Sequence, residues 1–347
     1  MPDAPVTLRP GTPVLDHGAG EVQLGTDPRW SLVLSGLAEH EARWLRDVEG
    51  RGHRSLERSA RRWGVRPERR EQIVGALADG GFLVRRPENF SSGAGWSPDA
   101  AVLGALRPDG AGAATLARRG GRVVGVHGLG RLGTGLAGLL AAAGVGALVL
   151  DDRGPVQVGD LGPGGHGPAD VGRPREEATA QRLRRAHARL RVGSELEAQA
   201  TGGPGLPDLV VVVEAHAARP GRYERLLGAA VPHLPVVVRE ADVVVGPLVL
   251  PGRSACVGCA DRHATDADER WPHVAADLAR RTTWDVAHET TLAATGAALA
   301  AGQVLALLDG ATPATVGRRL EVALPEAVPR VRDVAPHPAC GCTRLPA

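Results

Sequence analysis

Lysine is missing altogether from this chain of 347 residues, and asparagine occurs once, at Asn89. Every fixed cation is therefore an arginine, so no site here can place a compact ammonium on a phosphate. Aromatic residues make up 3% of the sequence, which leaves leucine, valine and alanine to build the core. Four cysteines are too few to staple a chain of this size as a disulfide scaffold. The net charge of +2 is too small to argue for nucleic acid or a membrane surface by bulk electrostatics. Met1 to Gly11 holds no apolar run behind a basic segment, so no secretory signal is expected and a cytoplasmic location is. The most apolar stretch, Leu292 to Leu308, is interrupted by Gly296, Gly302 and Gln303 and reads as a buried helix, not a membrane span. What remains, 43% apolar and 23% charged residues, suits a globular chain long enough for two domains.

Residues 1–86 read as one small α+β unit. Val14 to Asp16, Glu21 to Gly25 and Trp30 to Leu34 are short strand candidates, the first two separated by Gly18-Ala19-Gly20. Helical spacing follows over Leu37 to Val48, Ser55 to Trp63 and Pro67 to Gly80, and Phe82-Leu83-Val84 returns as a strand. This order predicts a winged-helix-like arrangement. Residues 87–120 are rich in Pro, Gly, Ser and Ala without sustained period, which suits a linker. From residue 121 to 347 strands and helices alternate: Val123 to Val126, Gly133 to Ala143, Ala147 to Leu150, Arg175 to Leu190, Asp208 to Val213, Pro220 to Ala230, Val236 to Val238 and Val286 to Leu308, with Leu320 to Val334 closing in strands. The βαβ order predicts an α/β domain with a doubly wound, mostly parallel sheet of dinucleotide-binding type.

Between the first strand and helix of that domain lies Gly128-x-Gly130-x-x-Gly133. Glycines at this spacing allow a tight turn and let backbone N–H groups at a helix N-terminus approach a phosphate. The blander reading is that they only let helix and strand pack closely. Asp151 and Asp152 end the second strand, where an acidic group would hold a ribose. Cys256-x-x-Cys259 and Cys340-x-Cys342 are two close pairs borne on Pro- and Gly-containing turns. Two such pairs are the usual construction of a closed tetrathiolate zinc site, which is structural and leaves no thiol for catalysis. The histidines form no metal-spaced cluster; His127 and His288 read as ordinary satisfied or half-exposed side chains, and Ser254 has no partner suggesting a nucleophile.

The glycine loop with Gly128 to Ala143, Leu148 to Asp152 and Asp170 to Arg175, together with the paired cysteines, resembles the ThiF/MoeB-type adenylating domain over residues 120–342. The resemblance makes Asp152 the ribose-binding aspartate. It implies an Asn, an Arg, a Lys and a Mg-binding Asp at positions occupied here by Asp160, Pro163, Arg175 and Ala215. Arg131 stands where the family has Gly, and its bulk is expected to crowd the loop. Adenylation needs cations on the triphosphate and a carboxylate on Mg²⁺, so a vestigial nucleotide site is expected at Gly128, Gly130, Gly133, Asp152 and Arg175. No catalytic residue and no ATP turnover are expected.

The second and third helices carry Arg54, Arg58, Arg61, Arg62, Arg66, Arg69 and Arg70, the basic face of a DNA-binding winged helix on one reading. Glu57, Glu68 and Glu71 interrupt it, however, and strands precede the helices. That order resembles the PqqD-like recognition element, in which a leader peptide adds as a strand beside the third strand and packs on the third helix. The resemblance points to Trp30, Leu32, Val33, Leu34, Val74, Leu77 and Ala78 as peptide-binding residues. As a whole the chain resembles the ThiF-like, leader-binding partner proteins of azole-forming peptide biosynthesis, carried by Gly246 to Gly252 running into Cys256-Val257-Gly258-Cys259 and by His337 to Cys342. It implies a non-catalytic escort that presents a ribosomally made precursor to a separate YcaO-type cyclodehydratase, with structural zinc as its cofactor. An active ATP-dependent adenylating enzyme and a DNA-binding regulator with a nucleotide-sensing domain are the alternatives, and the homodimer typical of the adenylating family is left open.

Overall fold

The computed structural model describes residues 6–9, 11–49, 56–85, 97–107, 110–194, 206–280 and 288–344. The chain divides into two compact units, Met1–Ala117 and Arg118–Ala347.

In the first unit, β1 (Val6–Leu8) pairs antiparallel with β5 (Leu83–Arg85), which returns after the helices. A separate antiparallel sheet has the order β2 (Val14–Gly18), β3 (Glu21–Leu24), β4 (Leu32–Leu34). Gly18 and Gly20, both at positive φ, make the first turn; a Cβ on Gly20 would lie 2.9 Å from the Leu37 carbonyl. Then come α1 (Glu39–Glu49), α2 (Leu56–Arg62) and α3 (Pro67–Asp79). Pro67 opens α3, where its missing N–H is no loss. The core gathers Leu24, Trp44, Leu45, Ile73, Leu77 and Phe82. Trp44 is its largest fully buried side chain, so a single tryptophan supplies much of the apolar burial in this aromatic-poor chain. The expected strand from Trp30 begins only at Leu32, and Ser55 and Arg54 lie outside the described residues.

Two helices occupy part of the span read as a linker: α4 (Pro98–Ala105) and α5 (Gly112–Arg119). Ser97 caps α4 by accepting the Ala100 N–H. A Cβ on Gly112 would fall 1.9 Å from the Ala100 carbonyl oxygen. Glycine here permits backbone contact between two short helices, and that same glycine content made the segment look structureless.

The second unit is built on an eight-stranded sheet in the order β13-β12-β11-β10-β9-β6-β7-β8. Its strands β6 (Val123–His127), β7 (Ala147–Asp151), β8 (Arg191–Ser194), β9 (Leu209–Ala215) and β10 (His233–Val238) are parallel. Strands β11 (Asp242–Val245), β12 (Arg318–Ala323) and β13 (Arg330–Asp333) extend it antiparallel. Buried on both faces, β9 and β10 are mostly apolar with no alternation, Glu214 and His233 being their buried polar residues. Helices α6 (Arg131–Ala142), α7 (Arg175–Ala186) and α11 (Thr290–Leu308) contribute to the larger core on one face. Tyr223 of α8 (Pro220–Gly228) and Val257 of α9 (Val257–Ala267) pack against Val210 and Val212 on the other. Helix α10 (Trp271–Ala279) follows α9. The α/β, mostly parallel architecture is the expected one. The helix from Arg175 stops at Ala186 and gives way to β8, and β11, α9 and α10 were not anticipated.

By length and composition α11 could cross a membrane, yet Leu292, Ala293, Gly296, Ala297, Ala300, Ala301, Val304 and Leu308 are buried in the core. A Cβ on Gly296 would come within 2.9 Å of Leu132 Cδ1. The glycine interrupting the apolar run is where this helix meets α6.

Candidate functional site

The glycine loop runs from the end of β6 into α6. Gly128 sits at φ +83°, and a Cβ there would lie 2.5 Å from the Val213 carbonyl oxygen. A Cβ on Gly133 would lie 1.8 Å from the oxygen of Gly128, so the third glycine seats the helix on the loop. Gly130 caps α6 without a side chain, and the helix N-terminus presents backbone N–H groups suited to an anion. Asp152 organises the loop: one oxygen accepts the Leu129 N–H at 2.8 Å and the other the Gly154 N–H at 3.0 Å.

Arg175, at the start of α7, is almost fully buried. Its Nε donates to Asp160 at 2.8 Å and its terminal nitrogen to Asp152 at 3.4 Å. The cation assigned to phosphate is thus neutralised by two carboxylates of its own chain. Arg131 does not crowd the glycines. It reaches across to the start of α11, donating to the His288 carbonyl at 2.7 Å and to Thr290 at 3.1 Å, and its stem lies over Gly162. Burial, followed by the nearby Arg131 and Arg175 and against the pull of Asp160, holds the His288 imidazole below its ordinary pKa. Its Nδ1 has no hydrogen-bond partner among the described residues. Ala215 ends β9 with a buried methyl group, Pro163 is exposed, and His216 follows at φ +65°. The backbone cradle and Asp152 could hold a nucleotide. The carboxylate for Mg²⁺ and the free cations needed for adenylyl transfer are not at these positions.

The cysteines converge as expected. Cys256 caps α9, Cys259 lies in its first turn, and Cys340 and Cys342 flank Gly341. Sulfur separations are 3.9 Å for Cys256–Cys259, 3.7 Å for Cys256–Cys340 and 3.4 Å for Cys259–Cys342. A tetrahedral ion with Zn–S bonds of about 2.3 Å would hold its sulfurs about 3.8 Å apart. Burial pushes the Cys256 thiol up to about 11 and Cys342 further still. For Cys340, burial is outweighed by the Cys342 N–H and the neighbouring thiols, which bring it down to about 7. Four thiols gathered in a mostly buried pocket between Val249, Ala255 and Val334 cannot all ionise without a cation, and a soft divalent ion would supply that charge. The residues fit zinc, and all four are used. Ser254 is structural, accepting the Leu250 N–H at 2.8 Å.

In the first unit β4 is an edge strand: β3 pairs one side, and its other side has no strand among the described residues. Val33 is 41% exposed. Leu32 packs against Gly80 at the end of α3. Val74 is half-buried and Ala78 exposed, one turn apart on α3. Two expected contact residues are corrected: Leu34 and Leu77 are core side chains, because the strand period turns Leu34 inward and the helical period pairs Leu77 with Ile73. Trp30 lines a cavity of about 530 Å³ with Phe82, with Ala101, Val102 and Ala105 of α4, and with Leu106 just after it. Periodicity gave no hint of this cavity, because α4 lies in the supposed linker. The arginine face is partly self-neutralised: Arg61 pairs with Glu57 at 2.6 Å, Arg70 with Glu71 at 3.4 Å, and Arg69 with the buried Glu41 at 3.1 Å.

Comparison with known proteins matches this geometry. Residues 114–201 match the ThiF family. Among solved structures, Escherichia coli MccB with MccA-N7isoASN superposes on the ThiF-like chain with a TM-score of 0.72 at 16% identity, covering 98% of this chain and 99% of that one. E. coli MccB with ATP gives 0.68 at 15% identity, covering 97% and 99%. PaaA gives 0.66 at 17% identity, covering 93% and 98%. Likeness at this identity shows the fold alone, shared with MccB over nearly the whole chain, the ThiF match lying at residues 114–201. No curated protein sequence matches.

Proposed function

We propose that this ThiF-like chain is a non-catalytic escort of peptide biosynthesis. Its first unit captures the leader of a ribosomally made precursor, and the core is presented to a separate YcaO-type cyclodehydratase. The observation that carries the reading is the open edge of β4, whose Leu32 lies against Gly80 at the end of α3. An added strand would satisfy its unpaired backbone groups, alternate side chains would meet α3 on one face and Val33 on the other, and the cavity at Trp30 would take an apolar side chain. The same fold in MccB occurs with MccA bound and, in another crystal, with ATP. Arg175 held by Asp152 and Asp160, with Ala215 ending β9, supports a partner-binding role without adenylation. Zinc on the four cysteines is the structural cofactor.

The test is calorimetric titration of the full chain with synthetic leader segments of small peptides encoded near its gene. Micromolar or tighter binding is expected, weakened by Val33→Glu and Val74→Glu. Leader binding unaffected by either variant would sink the groove assignment.

The intact glycine cradle favours one rival, an active adenylating enzyme. Precursor-dependent exchange of pyrophosphate into ATP, abolished by Asp152→Ala, would establish it in place of the escort.

A further inference from the structure

Beside the cysteines lies a cluster that the proposed zinc role does not use. On α9, His263 and Asp266 follow Cys259 by four and seven residues, so all three lie on one stripe of the helix, with Asp266 about 10 Å along the axis from Cys259. The C-terminal segment is laid along this stripe. His263 Nε2 donates to the Ala335 carbonyl at 3.0 Å, and His337 Nε2 donates to Asp266 at 2.9 Å. The two imidazoles meet edge to face with centroids 4.9 Å apart. A donor atom of each of the three residues lies within 4.8 Å of the others, which suggests a second metal site.

Proton accounting opposes metal here. His337 Nδ1 accepts the Ala339 N–H at 3.1 Å, so in the neutral ring the proton sits on Nε2, facing Asp266. A metal on Nε2 would need that proton moved to Nδ1, where it would collide with the Ala339 N–H. His337 is instead a satisfied side chain, 11% exposed, in a segment whose other residues from 335 to 339 are exposed. Its carbonyl also accepts the Cys340 N–H at 2.9 Å. Upstream, Val334 is fixed by its N–H to Gly317.

We propose that Asp266, His337 and His263 form a clasp that positions Cys340 and Cys342 for the metal. The inference rests on the zinc reading and deepens it. Between Val334 and Cys340 the clasp supplies the side-chain attachment of the C-terminal segment to α9. With it closed, two thiolates arrive already placed; with it open, they hang on a solvated loop and leave the metal more readily.

The experiment measures zinc content, then the rate of zinc transfer from the full chain to a chromophoric chelator. Asp266→Ala and His337→Ala should each hold one zinc but release it about tenfold faster or more, the usual penalty for losing an outer partner of a metal ligand. Asp266→Asn keeps an acceptor for His337 and should restore slow release, which a charge effect would not. Asp266 is 66% exposed, so Asp266→Ala leaves the core intact, as circular dichroism will verify. Unchanged release in both alanine variants overturns the clasp. A second zinc in the wild type, lost in His337→Ala, replaces it with a metal site. A wild type purified without zinc overturns the zinc reading itself, by metal content alone.

Discussion

Two clusters in the ThiF-like unit gather groups that can bind cations, and they differ in where the balancing charge comes from. Around Cys256 the thiols have chiefly one another as neighbours, so charge neutrality is left to an incoming ion. Around Gly130 the balance is already struck inside the chain, with Arg175 shared by Asp152 and Asp160. One site asks for a ligand to complete it. The other is complete without one, although its backbone still has the shape of a nucleotide cradle. A motif reports backbone geometry, and whether chemistry survives depends on who neutralises whom.

The largest effect expected from breaking this contrast is at the cysteines. Cys256→Ser or Cys259→Ser should abolish zinc binding and, with it, the cooperative unfolding transition of the second unit, since structural zinc contributes on the order of 10 kcal/mol in small sites. Metal analysis with differential scanning calorimetry reads both. Stoichiometric zinc with an unchanged transition in either variant would show that the thiols are ordinary core groups.

Removing the arginine should come next. Arg175→Ala leaves two mostly buried carboxylates without their shared cation, and breaking a buried pair from one side costs about 3 kcal/mol or more. Urea denaturation should show the loss, and Arg175→Lys should recover part of it, because one ammonium cannot grip both carboxylates as a planar fork does. If Arg175→Ala is as stable as the wild type, the cation is not neutralised internally and the nucleotide site reopens as a working one.

The same contrast marks how far the sequence could be read. The glycine loop, the thiol pairs and the parallel strands were legible because each depends on residues close in the chain or on a strong apolar period. The Arg175 grip was not, because it joins residues 15 and 23 positions apart through a Gly- and Pro-rich loop with no period to read. Strand β10 was read as starting at Val236, yet it begins at His233 with Pro235 inside it, a residue that usually demotes a strand. Helix α4 was hidden by the glycines that let it pack. The resemblance that assigns Leu77 to the groove names α3 but not which of its apolar residues turn inward, and Leu77 is fully buried. The clasp joins positions 71 apart, although His263-x-x-Asp266 on the helical stripe of Cys259 was a usable hint.

A pH titration separates the two halves of the comparison further. His233 is fully buried, with Nδ1 bonded to the Val231 carbonyl and Nε2 without a partner among the described residues, and burial holds its pKa down to about 4. The unfolded chain takes up this proton near the ordinary value of 6.5, whereas the folded chain resists it. Stability from this group is therefore fully present above pH 6.5 and lost as pH falls towards 4, by up to about 3 kcal/mol. His233→Asn, which keeps the donor, should flatten that part of the profile, while acid loss of zinc from the thiolates persists in both proteins. Identical pH profiles for the two proteins would assign all the acid sensitivity to the metal.

The smallest effect on stability belongs to the first unit, and there it carries the functional claim. Val33 stands on the outer face of β4 with 41% of its surface exposed, so Val33→Glu should change the unfolding free energy by less than about 0.5 kcal/mol. It leaves the β3–β4 pairing through Gln23 untouched. A strand added to the free edge would bring a cross-strand side chain beside this position, and such pairs contribute about 0.2–1 kcal/mol each. An apolar partner facing a carboxylate loses that contribution and must also desolvate the charge, so leader affinity should fall by about tenfold, measured on the full chain by calorimetry at constant salt. Val33→Ile, which extends the apolar surface, should bind at least as tightly as the wild type. Equal affinities for the wild type, Val33→Glu and Val33→Ile would place the peptide away from β4, leaving the edge strand as an unused border of the sheet.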